Sequence, residues 1–116
     1  GDEIKLTQVI YNLITNAVKY NRPGGQVWVQ IREQGDAMVV RVKDNGMGIP
    51  ADSLDRIFER FYRVDKGRSR KQGGTGLGLS IVKHIVSFYR GTIRVSSEID
   101  KGSEFVVELP LNREKN

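Results

Sequence analysis

Two pairs of alternating segments, each closed by a short polar turn, limit what this chain can fold into. Gln26 to Arg32 places Val27, Val29 and Ile31 on one side and Trp28, Gln30 and Arg32 on the other. That is the period of a half-buried strand. Glu33 to Ala37 turns the chain, and Met38 to Asp44 returns as the second strand of a hairpin. The pattern recurs near the end. Thr92 to Ser97, with Ile93 and Val95 inward, is joined through residues 98–102 to Ser103 to Pro110, with Phe105, Val107 and Leu109 inward. Asp2 to Lys19 reads as a helix capped by Asp2, with Leu6, Val9, Ile10, Leu13 and Ala17 on one face. A second helix runs from about Gly76 to Tyr89 on the spacing of Leu79, Val82, Ile85, Val86 and Tyr89, and Gly91 ends it. Ala51 to Phe61 is a short helical region with Leu54, Ile57, Phe58 and Phe61 on one side, and Asn112 to Asn116 is a polar tail. Hairpins outnumber βαβ units, so the expected fold is α+β, a two-layer sandwich with both long helices on one sheet face. At 116 residues this is one domain, 1–116, with a single core.

Composition removes several classes. There is no cysteine, which excludes disulfides and thiolate metal sites, and no apolar run nears the roughly 18 residues of a membrane span. The chain opens on Gly1-Asp2-Glu3 without a methionine and reads as a domain excised from something longer. The net charge of +5 fits either an ordinary basic surface or an anionic partner. Much of it is local: Arg63, Lys66, Arg68, Arg70 and Lys71 face only Asp65 among the acids of the same stretch.

Chemistry concentrates in four places. Asp44 is in phase with Val40 and Val42, so its carboxylate points with core valines and must meet a donor. It is either a turn cap or an acceptor for an amine inside a pocket. Asn45-Gly46-Met47-Gly48-Ile49-Pro50 follows, and its glycines allow a close backbone approach. On the first helix Asn12, Asn16, Lys19 and Tyr20 form a narrow stripe bordering the apolar face, an odd place for two poor helix formers. Gly73-Gly74-Thr75-Gly76-Leu77-Gly78-Leu79-Ser80 leads into the second helix, as a flexible connection or as a phosphate cradle. Nucleotide binding accounts for all four. Asp44 would accept from an adenine amine, the amides around Gly76 to Gly78 would hold phosphates, and Asn16 with Asn12 would offer oxygen to Mg²⁺. No Gly-x-x-x-x-Gly-Lys-Ser/Thr occurs, and the glycines follow a polar loop where a dinucleotide fold needs a strand.

The four stretches are also, in order and spacing, a family signature. Asn12 to Tyr20 resembles the N box of the sensor histidine kinases, Asp44 to Pro50 their G1 box, Ile57 to Arg63 their F box, and Gly73 to Ser80 their G2 box. The likeness spans nearly the whole chain and is nearest to the PhoR/WalK-like group. It implies the Bergerat (GHKL) fold shared with gyrase B, MutL and the heat-shock chaperone ATPases, a mixed, mostly antiparallel sheet covered on one face by helices. Carried over by position, it implies that Asp44 binds the adenine amine, that Asn16 ligates Mg²⁺ with help from Asn12, and that Lys19 contacts phosphate. Tyr20, Ile49 and Leu79 would wall the base, with Gly46 and Gly48 close to it. Gly74, Thr75, Gly76, Leu77 and Gly78 would border the adenine and phosphates, and residues 62–75, including Arg63, would form an ATP lid. Asn12, Asn16, Lys19 and Arg63 would then be the catalytic set.

Asn12 stands where the related ATPases carry a glutamate that activates water, and an amide is no general base at neutral pH. The resemblance therefore implies transfer of the γ-phosphoryl group to a histidine, carried by an upstream dimerisation domain. His84, the chain's single histidine, reads instead as a surface helical residue. Also implied are a response-regulator receiver domain as partner, a monomeric isolated domain, no nucleic-acid ligand, and a place on the cytoplasmic side of a membrane-bound bacterial sensor. A serine kinase of the anti-sigma type, a Bergerat ATPase and a basic nucleic-acid-binding module are the rival expectations.

Overall fold

The first hairpin is tighter than its sequence suggests. In the computed structural model, which describes residues 2–59 and 78–110, strand β1 (Val27–Gln34) meets strand β2 (Ala37–Asp44) across only Gly35 and Asp36. Strands β3 (Thr92–Glu98) and β4 (Gly102–Pro110) form the second hairpin. Strand β4 also pairs with β2, from Ala37 opposite Pro110 to Asp44 opposite Ser103. The result is a four-stranded sheet in the order β1-β2-β4-β3. Every pairing among the described residues is antiparallel.

Helices α1 (Asp2–Lys19) and α2 (Gly78–Phe88) lie side by side on one face, giving the expected two-layer α+β sandwich. Val9, Leu13 and Ala17 of α1 and Val82, Ile85 and Val86 of α2 are buried against Val40, Val42, Phe105, Val107 and Leu109. The side chain of Asp2, the expected cap, is outside the described residues, as are Arg60 to Leu77 and the tail from residue 111.

Two expectations are corrected. Strand β1 is exposed along nearly its whole length, not half-buried: Val29 is 44 % and Ile31 49 % accessible. It is an edge strand, and the buried core draws on β2 and β4 instead. On the other face, the Lys43 ammonium sits 5.9 Å over the Trp28 ring. Second, the region after Pro50 is a 3-10 turn, Ala51–Ser53, continued by i→i−3 bonds as far as Glu59, with Ser53 and Ile57 buried. Asp52, Ser53 and Asp55 are weak helix formers, so the segment tightens without propagating. Gly91 ends α2 as expected, with Arg90 before it in the left-handed conformation.

The end of α2 is a Schellman motif. Arg90 N–H donates to Ser87 O at 3.0 Å and Gly91 N–H to Val86 O at 2.8 Å. Arg90 takes the left-handed position, with φ 63°. Gly91 is required for a different reason: a Cβ there would land on the Glu108 carbonyl oxygen and lie 2.8 Å from Leu109 Cδ2. The two positions should therefore respond oppositely. Arg90→Gly is expected to stabilise the domain by up to about 1 kcal/mol by removing left-handed strain. Gly91→Ala is expected to destabilise it by about 1–3 kcal/mol through overpacking. Urea denaturation of both variants measures the signs, and equal signs would refute this account.

Candidate functional site

Asp44 ends β2 with its side chain on the helix-covered face, where it is 8 % accessible. A carboxylate there loses hydration and needs donors. Gly46 N–H supplies one, at 2.8 Å to Asp44 Oδ1, and the Ser103 backbone N–H opposite supplies another. These donors do not fully offset burial. Burial pushes the Asp44 carboxyl above its ordinary value of 3.8, and the Gly46 and Ser103 hydrogen bonds pull it only part of the way back.

The loop after Asp44 is wrapped onto the protein itself. A Cβ on Gly46 would lie 2.8 Å from both Tyr20 O and Asn21 Cα, so the end of α1 closes over it. Gly48 has φ 78°, and a Cβ on it would run into the Glu98 carbonyl. The close approach expected at these two glycines is thus made to protein backbone, and it locks the loop between α1 and the β3–β4 turn. Ile49 N–H donates to Ser97 Oγ at 2.7 Å, and Ser97 Oγ lies 2.8 Å from Ser103 Oγ. Met47 N–H reaches Tyr20 O at 3.5 Å, and Asp100 N–H reaches Met47 O at 2.9 Å.

The polar stripe of α1 runs from this loop to the start of α2. Tyr20 is at one end, with the Lys19 ammonium 5.8 Å over its ring. At the other end Asn12 Nδ2 donates to Gln8 O at 2.9 Å, and its Oδ1 would be 3.5 Å from a Cβ placed on Gly78. Asn16 lies between them, half-buried. From Asn12 to Tyr20 is about 12 Å along the axis, at about 1.5 Å per residue. Ile49 and Leu79 both pack against the core as partly buried walls. The structure therefore joins Tyr20 to the Asp44 loop, and Asn12 to the head of α2. Arg63, Gly74, Thr75, Gly76, Leu77 and the rest of the 62–75 lid are outside the described residues. His84 is exposed on α2, away from the core-facing side.

Sequence reasoning passed over Ser97, Ser103 and Arg22. The serines sit in phase with Ile93 and Val95, and with Phe105 and Val107, so the parity that singled out Asp44 also marks them. Arg22 carried no such signal.

Comparison with known proteins agrees with this geometry. Residues 1–113 match the family described as Histidine kinase-, DNA gyrase B-, and HSP90-like ATPase. The chain belongs to this family. Among its relatives is the sensor protein kinase WalK of Staphylococcus saprophyticus, 49 % identical over 111 residues, covering 94 % of this chain and 18 % of that protein. WalK of Staphylococcus aureus is 48 % identical, covering 94 % of this chain and 27 % of its counterpart. The chain thus spans roughly a fifth to a quarter of these curated relatives. Among solved structures, the mycobacterial sensor histidine kinase MprB aligns with a TM-score of 0.82 at 34 % identity, over 95 % of this chain and 74 % of that one. Full-length ShkA, in complex with AMPPNP, aligns at 0.79 and 34 % identity, over 95 % of this chain and 22 % of that one. Within this ATPase family fold, Asp44 is a buried acid held against its own solvation.

That has a consequence for stability. Since folding raises the Asp44 pKa, its favourable contribution is complete below 3.8 and is lost as pH rises through the raised folded value. As pH rises above 3.8, keeping this group buried increasingly opposes folding. Without nucleotide, Asp44→Asn should melt above the wild-type domain at about pH 7, and its advantage should shrink as pH falls towards about 4. Thermal melts across that range check this, and an advantage that does not depend on pH would contradict it.

Proposed function

We propose that this domain binds Mg²⁺·ATP and donates the γ-phosphoryl group to a histidine on a separate dimerisation domain, as the catalytic part of a two-component sensor kinase. The observation that carries this is Asp44, a buried carboxylate at the end of β2 with Gly46 N–H on Oδ1. A carboxylate so placed accepts from the exocyclic amine of adenine. Guanine presents a carbonyl at the same position, and two acceptors facing each other in a dry pocket are rejected. Ile49, Leu79 and the Tyr20 ring line the base, and Ser103 adds a hydroxyl beside Asp44. The phosphates would lie towards the head of α2, where a helix N-terminus and its dipole favour anions. On the family resemblance, Gly74, Thr75, Gly76, Leu77 and Gly78 would border them, Lys19 would be a cationic contact, and residues 62–75 would serve as the lid.

The donors present fit a magnesium ion. Among the described residues no group of three or more His, Asp or Glu could hold a metal. The stripe instead offers amide oxygens, Asn12 with its Nδ2 already engaged. Mg²⁺ is commonly held by few protein oxygens together with substrate phosphates. Asn16, helped by Asn12, would hold it, and it would neutralise phosphate charge. The chain itself positions ATP and offers no base for water at residue 12, since the Asn12 amide cannot take a proton. In the transfer, the acceptor imidazole nitrogen bonds to the γ-phosphorus as the bond to the β,γ-bridging oxygen breaks and ADP leaves. The neutral amide of Asn12, within the catalytic set of Asn12, Asn16, Lys19 and Arg63, suits a kinase over a hydrolase. A receiver domain would take the phosphoryl group onward, and the parent would be a membrane sensor with this domain in the cytoplasm. No described helix is itself long and apolar enough to cross a membrane.

Calorimetric titration tests the nucleotide site. ATP should bind at least about tenfold more tightly than GTP, and Asn in place of Asp44 should weaken ATP at least about tenfold, the worth of one charged hydrogen bond. Equal affinities unmoved by Asp44→Asn would sink the proposal. Labelled γ-phosphate should appear on an added histidine-bearing dimerisation domain and not on this chain. Label on His84 would refute the assignment of acceptor.

A further inference from the structure

Arg22 belongs to none of the recognised motifs, yet its side chain joins three segments far apart in sequence. Its Nη2 donates to Gly46 O at 3.0 Å and to Asp100 O at 2.8 Å. Gly46 belongs to the loop after Asp44. Asp100 belongs to the β3–β4 turn, where it holds φ 67° and donates its own N–H to Met47 O at 2.9 Å. Arg22 is in turn fixed at the foot of α1: its N–H donates to Asn21 Oδ1 at 2.8 Å, and its carbonyl accepts from Gly25 N–H at 2.9 Å. Asn21 Nδ2 continues the chain to Gln26 O at 3.0 Å, and Gln26 N–H to Asn45 Oδ1 at 2.7 Å.

Gly46 is consequently held at both of its polar groups. Its N–H is spent on Asp44 Oδ1 and its carbonyl on Arg22. A glycine has the widest backbone freedom of any residue. Its carbonyl shares a peptide plane with Met47 N–H, so releasing it frees rotation about the Gly46 Cα and removes one of the two anchors on the residue whose N–H aims the Asp44 carboxylate. We propose that Arg22 is a positioning residue for base recognition: by clamping Gly46 and Asp100 it holds the Asp44 carboxylate in the orientation that selects a purine bearing an exocyclic amine. This rests on the nucleotide function proposed above. The guanidinium suits the task because it keeps its charge and presents its donors in a rigid plane. Arg22 is exposed, so its removal leaves no cavity in the core.

The experiment compares ATP with purine riboside triphosphate, which lacks the 6-amino group, by calorimetry on wild type, Asp44→Asn, Arg22→Met and Arg22→Lys. Arg22→Met should weaken ATP about tenfold while leaving the amine-free nucleotide within about twofold, so the preference collapses towards that of Asp44→Asn. Arg22→Lys, which keeps a charged donor, should restore part of it. A folded Arg22→Met that keeps the wild-type preference, or that loses both nucleotides equally, overturns the positioning role. If circular dichroism shows Arg22→Met unfolded, a wild-type preference in Arg22→Lys overturns it. Wild type that does not prefer ATP, unmoved by Asp44→Asn, defeats the nucleotide function itself, a result distinct from failure at Arg22 alone.

Discussion

The hydrogen bond from Gly46 N–H to Asp44 Oδ1, 2.8 Å long and buried, is the contact around which the site end of the fold is arranged. A carboxylate placed among Val40, Val42 and Phe105 would take up a proton or draw in water if left alone. Two backbone donors, from Gly46 and Ser103, offset part of that cost, and both depend on exact register. Strand β4 must pair with β2 so that Ser103 stands opposite Asp44, and the loop must double back so that Gly46 faces its own neighbour. In the proposed function, that remaining cost is what a ligand's amine would relieve.

Much of the surrounding structure serves to keep that loop in place. The end of α1 closes over Gly46, the β3–β4 turn closes over Gly48, and Arg22 ties the two. Ser97 and Ser103 provide a short hydroxyl chain beneath Ile49. Helix α1 then links the two ends of the site. Its buried face anchors it to the sheet, and its bordering stripe carries Asn12 to the head of α2 and Tyr20 to the Asp44 loop. One amphipathic helix thereby does two jobs, and the narrow angle between its apolar and polar stripes is the reason both succeed.

The sequence was legible where one residue's chemistry conflicted with its pattern. Asp44 among valines and Asn12 and Asn16 beside an apolar face are such conflicts, and both fall in the candidate site. Strand positions followed from alternation, and the inward faces of β3 and β4 came out as their parity implies. Strand β1 shows the limit. Val27, Val29 and Ile31 alternate as well as any buried strand, but alternation describes a face and not its cover, and on this edge strand only Val27 packs against the core. The same applies to Gly91. A glycine after a helix suggests a left-handed cap, whereas here Arg90 adopts that conformation and Gly91 makes room for β4.

What the sequence by itself determined was local: periods of two and of about 3.6, the stops between them, the absence of cysteine, and the motif residues that mark the family. These depend on neighbours a few positions away, and such neighbours are written in the chain. Only the tertiary structure decided which strand became the edge, what Gly46 and Gly48 close upon, and that Arg22 spans segments 24 and 78 residues away. Those are contacts between surfaces whose mutual placement comes from packing the whole core. No local pattern specifies a guanidinium's distant partners, because they exist only once the sheet, both hairpins and α1 have come together.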